Sequence, residues 1–172
     1  ALEPTKELQA IRGFNKAQNW DDFDLALRDF MAPAQNFVFA DKSGTIAYRA
    51  NGRVPIRKIG DGKLPVPGDS SDYGWEGYVP FDELPTVINP EEGYIATANN
   101  EIVGDEYPYY ITDFWAQPYR YERIVQLLES KDKLSVQDMK DIQMDTVNLY
   151  AAEFLPHFIE TLKAADTAGE YS

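Results

Sequence analysis

Two adjacent side-chain amides, Asn99 and Asn100, and an arginine pair, Arg120 and Arg123, are the groups in this sequence best suited to chemistry. The amides close the run Gly93–Asn100, in which Tyr94, Ile95 and Thr97 favour a strand and which follows a turn-type segment, Asn89–Gly93. A carboxamide at a strand end is held by its sheet and still offers two N–H donors to whatever lies beyond. That geometry suits the stabilisation of negative charge developing on a carbonyl oxygen. On this run alone, the simpler reading is that the amides start a turn, because Asn tolerates left-handed backbone. Arg120 and Arg123 stand one turn apart on a predicted helix, where they share a face and can clamp a carboxylate. Their spacing equally suits surface ion pairs with Glu122, Glu129 or Asp113, and by itself favours that reading.

The other chemical candidates are weaker. Asp61, Asp69 and Asp72 are acidic enough for calcium but lack the regular spacing and closing Glu of a calcium loop, so they read as a solvated acidic stretch. Asp105 and Glu106 are adjacent, which points their carboxylates apart and disfavours shared acid–base work. His157 is the only histidine, has no acid–serine context, and reads as a surface or core-edge residue. Trp75, Tyr78 and the Leu64–Pro67 segment can line an apolar pocket or simply pack as a loop. Neither a glycine-rich phosphate loop nor a basic patch is present.

The totals narrow the choice. A chain of 172 residues fits one domain or a piece of a larger one, and 44% hydrophobic with 13% aromatic residues is a globular composition. A formal charge of −13 argues against nucleic acid or an anionic membrane as the main partner. No apolar run is long enough to span a bilayer, and the absence of cysteine excludes disulfides, zinc–thiolate sites and thiol nucleophiles.

The elements that must position the amides follow from periodicity. Residues 4–14 predict a helix with Leu8, Ile11 and Phe14 on one side. Asn19 with Asp22 reads as a capping box before a second helix carrying Phe23, Leu27 and Phe30, stopped at Met31–Pro33. Asn36–Asp41 and Thr45–Arg49 predict a hairpin through Lys42–Gly44, and Arg53–Arg57 an edge strand limited by Pro55. Residues 60–92 look too broken by Gly and Pro for regular elements, with Tyr73, Trp75, Tyr78 and Phe81 packing them into a wall. A strand over 93–98 and an acidic, tyrosine-rich loop over 101–110 come next. Helices are expected from Pro118 with Tyr121, Ile124, Val125 and Leu128 on one face, from the Ser135–Asp138 capping box, and from Leu149 to Leu162 with a kink at Pro156. Residues 164–172 read as a frayed end. The fold class is therefore α+β: helices over about 4–30, strands and a long loop over about 36–98, and helices over about 118–165.

Taken together, Ala17–Trp20, Gln35–Asp41, Gly44–Tyr48, Leu64–Gly68, Trp75–Phe81, Asn89–Pro90, Gly93–Asn100 and Tyr119–Arg120 ahead of Leu127–Leu128 resemble the β-chain of penicillin amidases. These are N-terminal-nucleophile acylases, and the stretches follow the family's order over nearly the whole chain. The resemblance implies part of a four-layer αββα sandwich of antiparallel strands and flanking helices, with 1–172 as one internal fragment of a larger β-chain. It implies acyl transfer from an amide by a free N-terminal residue, usually Ser, whose own α-amine is the base. That nucleophile is expected upstream of Ala1, in the rest of the same α/β precursor, so the fragment alone is expected to be inactive. By resemblance, Asn99 donates to the oxyanion and Arg120 orients it. Ile11 and Gln35 align with acyl-pocket positions where the family has a Trp and an Ile, which sets its phenylacetyl preference in question. A family calcium site uses a backbone carbonyl near Gly62, but its later Asp has no clear counterpart over Tyr109–Asp113. A structural calcium is thus optional and no cofactor is required.

The sequence expectation is an amidohydrolase acting on an N-acyl amide, such as a β-lactam side chain or an N-acyl homoserine lactone, in a secreted or periplasmic setting. The alternative is a non-catalytic ligand-binding or structural module that uses the aromatic loop 73–81.

Overall fold

The computed structural model describes residues 3–165, which fall into two compact units. One holds the chain up to Ile95 together with Glu101–Trp115; the other holds Ala96–Asn100 and the chain from Ala116 onward.

The first unit is built on aromatic packing. Helices α1 (Glu7–Phe14) and α2 (Trp20–Leu27) precede a hairpin of β1 (Gln35–Ala40) and β2 (Ile46–Asn51). Asn19 caps α2, its Oδ1 accepting the Asp22 N–H at 2.9 Å. The expected reciprocal bond shifts by one residue, since the Asp22 carboxylate accepts from the Gln18 N–H instead. Phe37 and Phe39 share one face of β1, as alternate strand residues must, and meet Phe14, Phe23 and Trp20 at ring distances of 5.3–6.3 Å. Trp20, Leu27 and Ala47 are buried in this cluster.

Of the expected apolar side of α1, Phe14 packs, stacked on Phe23 at 4.6 Å, but the other two residues stay exposed. Leu8 is 84% exposed and Ile11 46%, while Ala10 is buried. Small residues decide this: a β-carbon on Gly13 would stand 2.5 Å from that of Ala26, so the two helices approach through Ala10, Gly13 and Ala26.

The hairpin forms as expected, in register from Gln35↔Asn51 to Ala40↔Ile46, and β2 also pairs antiparallel with β5 (Thr86–Ile88). A second, two-stranded sheet joins β3 (Pro55–Arg57) to β4 (Trp75–Tyr78). Residues 60–92 are therefore less broken than their Gly and Pro content predicts: they hold β4, β5 and single helical turns at Ser71–Tyr73 and Phe81–Glu83. Cross-strand pairing selects such short strands, and composition alone does not reveal it. Arg49, buried on β2, donates to Asp24 Oδ1 and to the Phe81 carbonyl, both at 2.7 Å, and so ties α2 and the Phe81 turn to the sheet.

The second unit contains α3 (Tyr119–Leu128), α4 (Val136–Gln143) and α5 (Leu149–Ala165). The Ser135–Asp138 capping box forms with both of its bonds. Tyr119 of α3 packs edge-on against Tyr150 of α5 at 5.2 Å. Helix α5 runs through Pro156 and includes Ala164 and Ala165; the rest of the expected frayed end, residues 166–172, lies outside the described residues. The two sheets and their accompanying helices make the fold α+β with antiparallel strands, as expected.

Candidate functional site

The strand expected over residues 93–98 does not form: among the described residues this segment joins neither sheet. Strand-forming side chains need a ladder partner, and no described segment supplies one. Asn99 is consequently fixed by other means. Its backbone is left-handed, at φ 62°, a conformation Asn adopts more readily than most residues. The Ala116 N–H donates to the Asn99 carbonyl at 2.8 Å. On the preceding residue, Arg120 Nη2 donates to the Ala98 carbonyl at 2.6 Å.

The same Nη2 donates to Asn99 Oδ1 at 2.8 Å. A guanidinium only donates, so the atom facing it must be the carboxamide oxygen. The Asn99 Nδ2 group is then turned to the other side with both of its N–H bonds, and Asn99 itself is solvent-exposed. Arg120 follows Pro118 in the first turn of α3, where a cation opposes the helix dipole. Among the described residues no carboxylate pairs with it. Both its partners are neutral oxygens, so its positive charge is held beside the amide without being cancelled.

Arg123, one turn further along α3, behaves differently. Its Nε and Nη2 form a two-pronged pair with Asp145 at 2.9 and 2.8 Å. The arginines therefore do not clamp one carboxylate together. Asp145, in the connection after α4, escaped sequence reasoning because nothing local links it to a residue twenty-two positions earlier. The backbone groups of Ala98 and Ala116 escaped it too, since any residue supplies them.

The remaining candidates belong to other elements of the chain. Ile11 lies on α1 and Gln35 begins β1, both in the first unit, whereas Asn99 and Arg120 belong to the second. Gly62 sits in a loop at φ 81°, and a β-carbon there would meet Arg57 Nε at 2.7 Å. Beside it, Lys63 Nζ bridges Asp61, at 3.2 Å, and Asp113. The ammonium thus pairs with both carboxylates, and the guanidinium lies against the glycine. No group of three or more Asp, Glu, His or Cys suited to a metal occurs among the described residues. Asp105, Glu106 and His157 are exposed. Trp75 and Tyr78 meet edge to face at 5.9 Å with Trp75 half exposed, as an open wall rather than an enclosed pocket.

Comparison with known proteins places these features in a family context. The family model for penicillin amidase matches residues 1–171. The chain is 35% identical over 162 residues to an acyl-homoserine lactone acylase QuiP of Pseudomonas fluorescens, a match covering 91% of this chain and 19% of that protein. It is 36% identical over 155 residues to penicillin G acylase of Escherichia coli, covering 87% of this chain and 18% of that one. It is also 40% identical over 113 residues to penicillin acylase 2 proenzyme of a Pseudomonas species, covering 66% of this chain and 15% of the proenzyme. A thermostable penicillin G acylase from Alcaligenes faecalis shares its fold with a TM-score of 0.71 and 28% identity, over 97% of this chain and 30% of that one. The chain thus spans less than a fifth of the length of these curated relatives. No helix among the described residues is long and apolar enough to cross a membrane.

Proposed function

The chain belongs to the penicillin amidase family, and from that membership we propose that it is the oxyanion-stabilising segment of an N-acyl amide hydrolase. The nucleophile in this reading is the hydroxyl of an N-terminal Ser elsewhere in the same precursor. Attack on the substrate carbonyl places negative charge on its oxygen, and Asn99 Nδ2 donates a hydrogen bond to that oxygen. Collapse of the intermediate releases the amine and leaves an acyl-enzyme, which water then hydrolyses.

The observation that carries the reading is the Arg120–Asn99 bond. It fixes which end of the carboxamide is offered, and it does so before substrate arrives. A donor already oriented needs no reorganisation as charge develops, which is the main source of such stabilisation. Arg120 adds to this twice. It polarises the amide through Oδ1, strengthening the N–H as a donor, and it sets a full positive charge nearby.

The substrate class is an amide with an apolar acyl group. Relatives named as penicillin acylases and as acyl-homoserine lactone acylases support both a β-lactam side chain and an N-acyl homoserine lactone. The test is made in the full-length enzyme, with kcat measured on a panel of N-acyl amines. Asn99→Ala is expected to lower kcat by roughly a hundred- to a thousandfold. Undiminished turnover in that variant would sink the reading.

A further inference from the structure

Asn99 owes its unusual backbone to its neighbours. The Ala98–Asn99 peptide is held through the Ala98 carbonyl by Arg120, at 2.6 Å. The Asn99–Asn100 peptide is held through the Asn99 carbonyl by the Ala116 N–H, at 2.8 Å. One more bond closes the turn: Asn100 Oδ1 accepts the Ala98 N–H at 3.0 Å. Both polar backbone groups of Ala98, which is 7% exposed, are thereby tied down by side chains, one from Asn100 and one from Arg120.

We infer that Asn100 is a positioning residue for this site: its side chain clips the chain two residues back and so locks Asn99 in the left-handed conformation that aims its N–H group. This rests on the reading of Asn99 as the oxyanion donor. The reasoning is geometric. A non-glycine residue at φ 62° costs free energy and persists only when its surroundings over-determine it. Three bonds surround Asn99: Arg120 also orients the Asn99 side chain, and the Ala116 N–H comes from the chain leading into α3. The Asn100 side chain has the local clip. Without it the Ala98 N–H loses a partner in a buried setting, and the chain relaxes toward the extended backbone that the strand-forming residues before it prefer. A shift of about 1 Å in the donor is enough to cost up to a hundredfold in rate.

The experiment is a double-mutant cycle in the full-length enzyme, reading kcat and KM on one turned-over N-acyl amide. Asn100→Ala is expected to lower kcat by roughly ten- to a hundredfold with KM moved less than about threefold, since the loss appears only as charge develops. On an Asn99→Ala background the same substitution is expected to cost nothing further, because Asn100 acts through Asn99. Undiminished kcat in Asn100→Ala, or an equal loss on both backgrounds, overturns the inference. If Asn99→Ala is itself silent, the underlying reading fails and this one with it; if Asn99→Ala is crippled and Asn100→Ala is not, only this one fails. Should Asn100→Ala not fold, Asn100→Ser is read in its place, since Ser suits loops yet is too short to span the bond.

Discussion

Arg120 and Asn99 meet side chain to side chain, with Nη2 of the guanidinium 2.8 Å from Oδ1 of the carboxamide. The relationship is asymmetric. Asn99 gives up its acceptor and keeps its donors, while Arg120 gains two neutral oxygens and, among the described residues, no ion-paired carboxylate. A pair chosen for stability alone would place a carboxylate opposite an arginine and would avoid a cation at a helix start.

Replacing Arg120 tests that asymmetry. Arg120→Ala in the full-length enzyme removes the orienting bond, the bond to the Ala98 carbonyl and the nearby charge. It is expected to lower kcat by at least about tenfold, with KM little changed. Arg120→Lys restores the charge but not the fixed planar fork, and is expected to recover only part of the loss. Steady-state kinetics on a single N-acyl amide decides it; full recovery by lysine would show that charge alone matters.

Asn99→Asp separates shape from donation. The carboxylate is isosteric, forms a stronger bond with Arg120, and replaces the N–H group with a second acceptor oxygen. Turnover is expected to fall at least as far as in Asn99→Ala, roughly a hundredfold or more, while the melting temperature holds or rises. An active Asp variant contradicts donation by this side chain.

How much of this was legible beforehand depends on where the information lies. Helices α2 and α4 could be read because their caps, Asn19 and Ser135, are local and pair with residues three positions on. The β1–β2 hairpin could be read because alternation and Gly44 coincide. Strands β4 and β5 could not, because each exists only through a partner about twenty or more residues earlier in the chain. The segment 93–98 failed the opposite way: its composition favours a strand, but it joins neither sheet. Asn99 and Arg120 were paired from the family resemblance, and spacing alone did not distinguish Arg120 from Arg123. What separates those two is Asp145, which no local pattern announces. The Asp41 carboxylate, which accepts from the Ser43 and Thr45 N–H groups two and four positions on, makes the kind of contact that a local pattern does announce.

The stability of the first unit should depend on Asn51, which is 2% exposed at the end of β2. Its Nδ2 donates to the Leu27 and Phe30 carbonyls at 3.1 and 2.7 Å, closing the chain that leaves α2. Leu27 O keeps a second donor, the Phe30 N–H, whereas Phe30 O relies on Asn51 among the described bonds. Asn51→Leu is therefore expected to destabilise by about 2–3 kcal/mol, the cost of leaving a buried polar group unpaired. Urea denaturation of variant and parent measures it, and a difference below about 0.5 kcal/mol would show that water or a rearranged chain satisfies the carbonyl.

Acid should find the Arg123–Asp145 pair before it finds the candidate site. Hydrogen bonding by the Arg123 guanidinium, opposed in part by desolvation and aided by its charge and by the Val147 N–H, holds the Asp145 carboxyl below the usual Asp value. A carboxyl whose pKa is lower in the folded state contributes stability that is present above its unfolded value of about 3.9 and lost as pH falls through the folded one. Arg123 keeps its proton throughout, so Asp145 alone sets this window. Asp145→Asn keeps the shape and removes the charge. The melting temperatures of parent and variant are expected to differ by a constant amount between about pH 5 and 8, and to converge as the pH drops below about 4. A gap that persists undiminished at low pH would mean that the neutral hydrogen bond, and not the ion pair, holds the connection after α4 to α3. Because Arg120 begins that same helix one turn before Arg123, Asp145→Asn is also expected to loosen the guanidinium that orients Asn99. The effect on kcat should be small, about twofold, because Arg120 keeps its own bonds to Ala98 and Asn99.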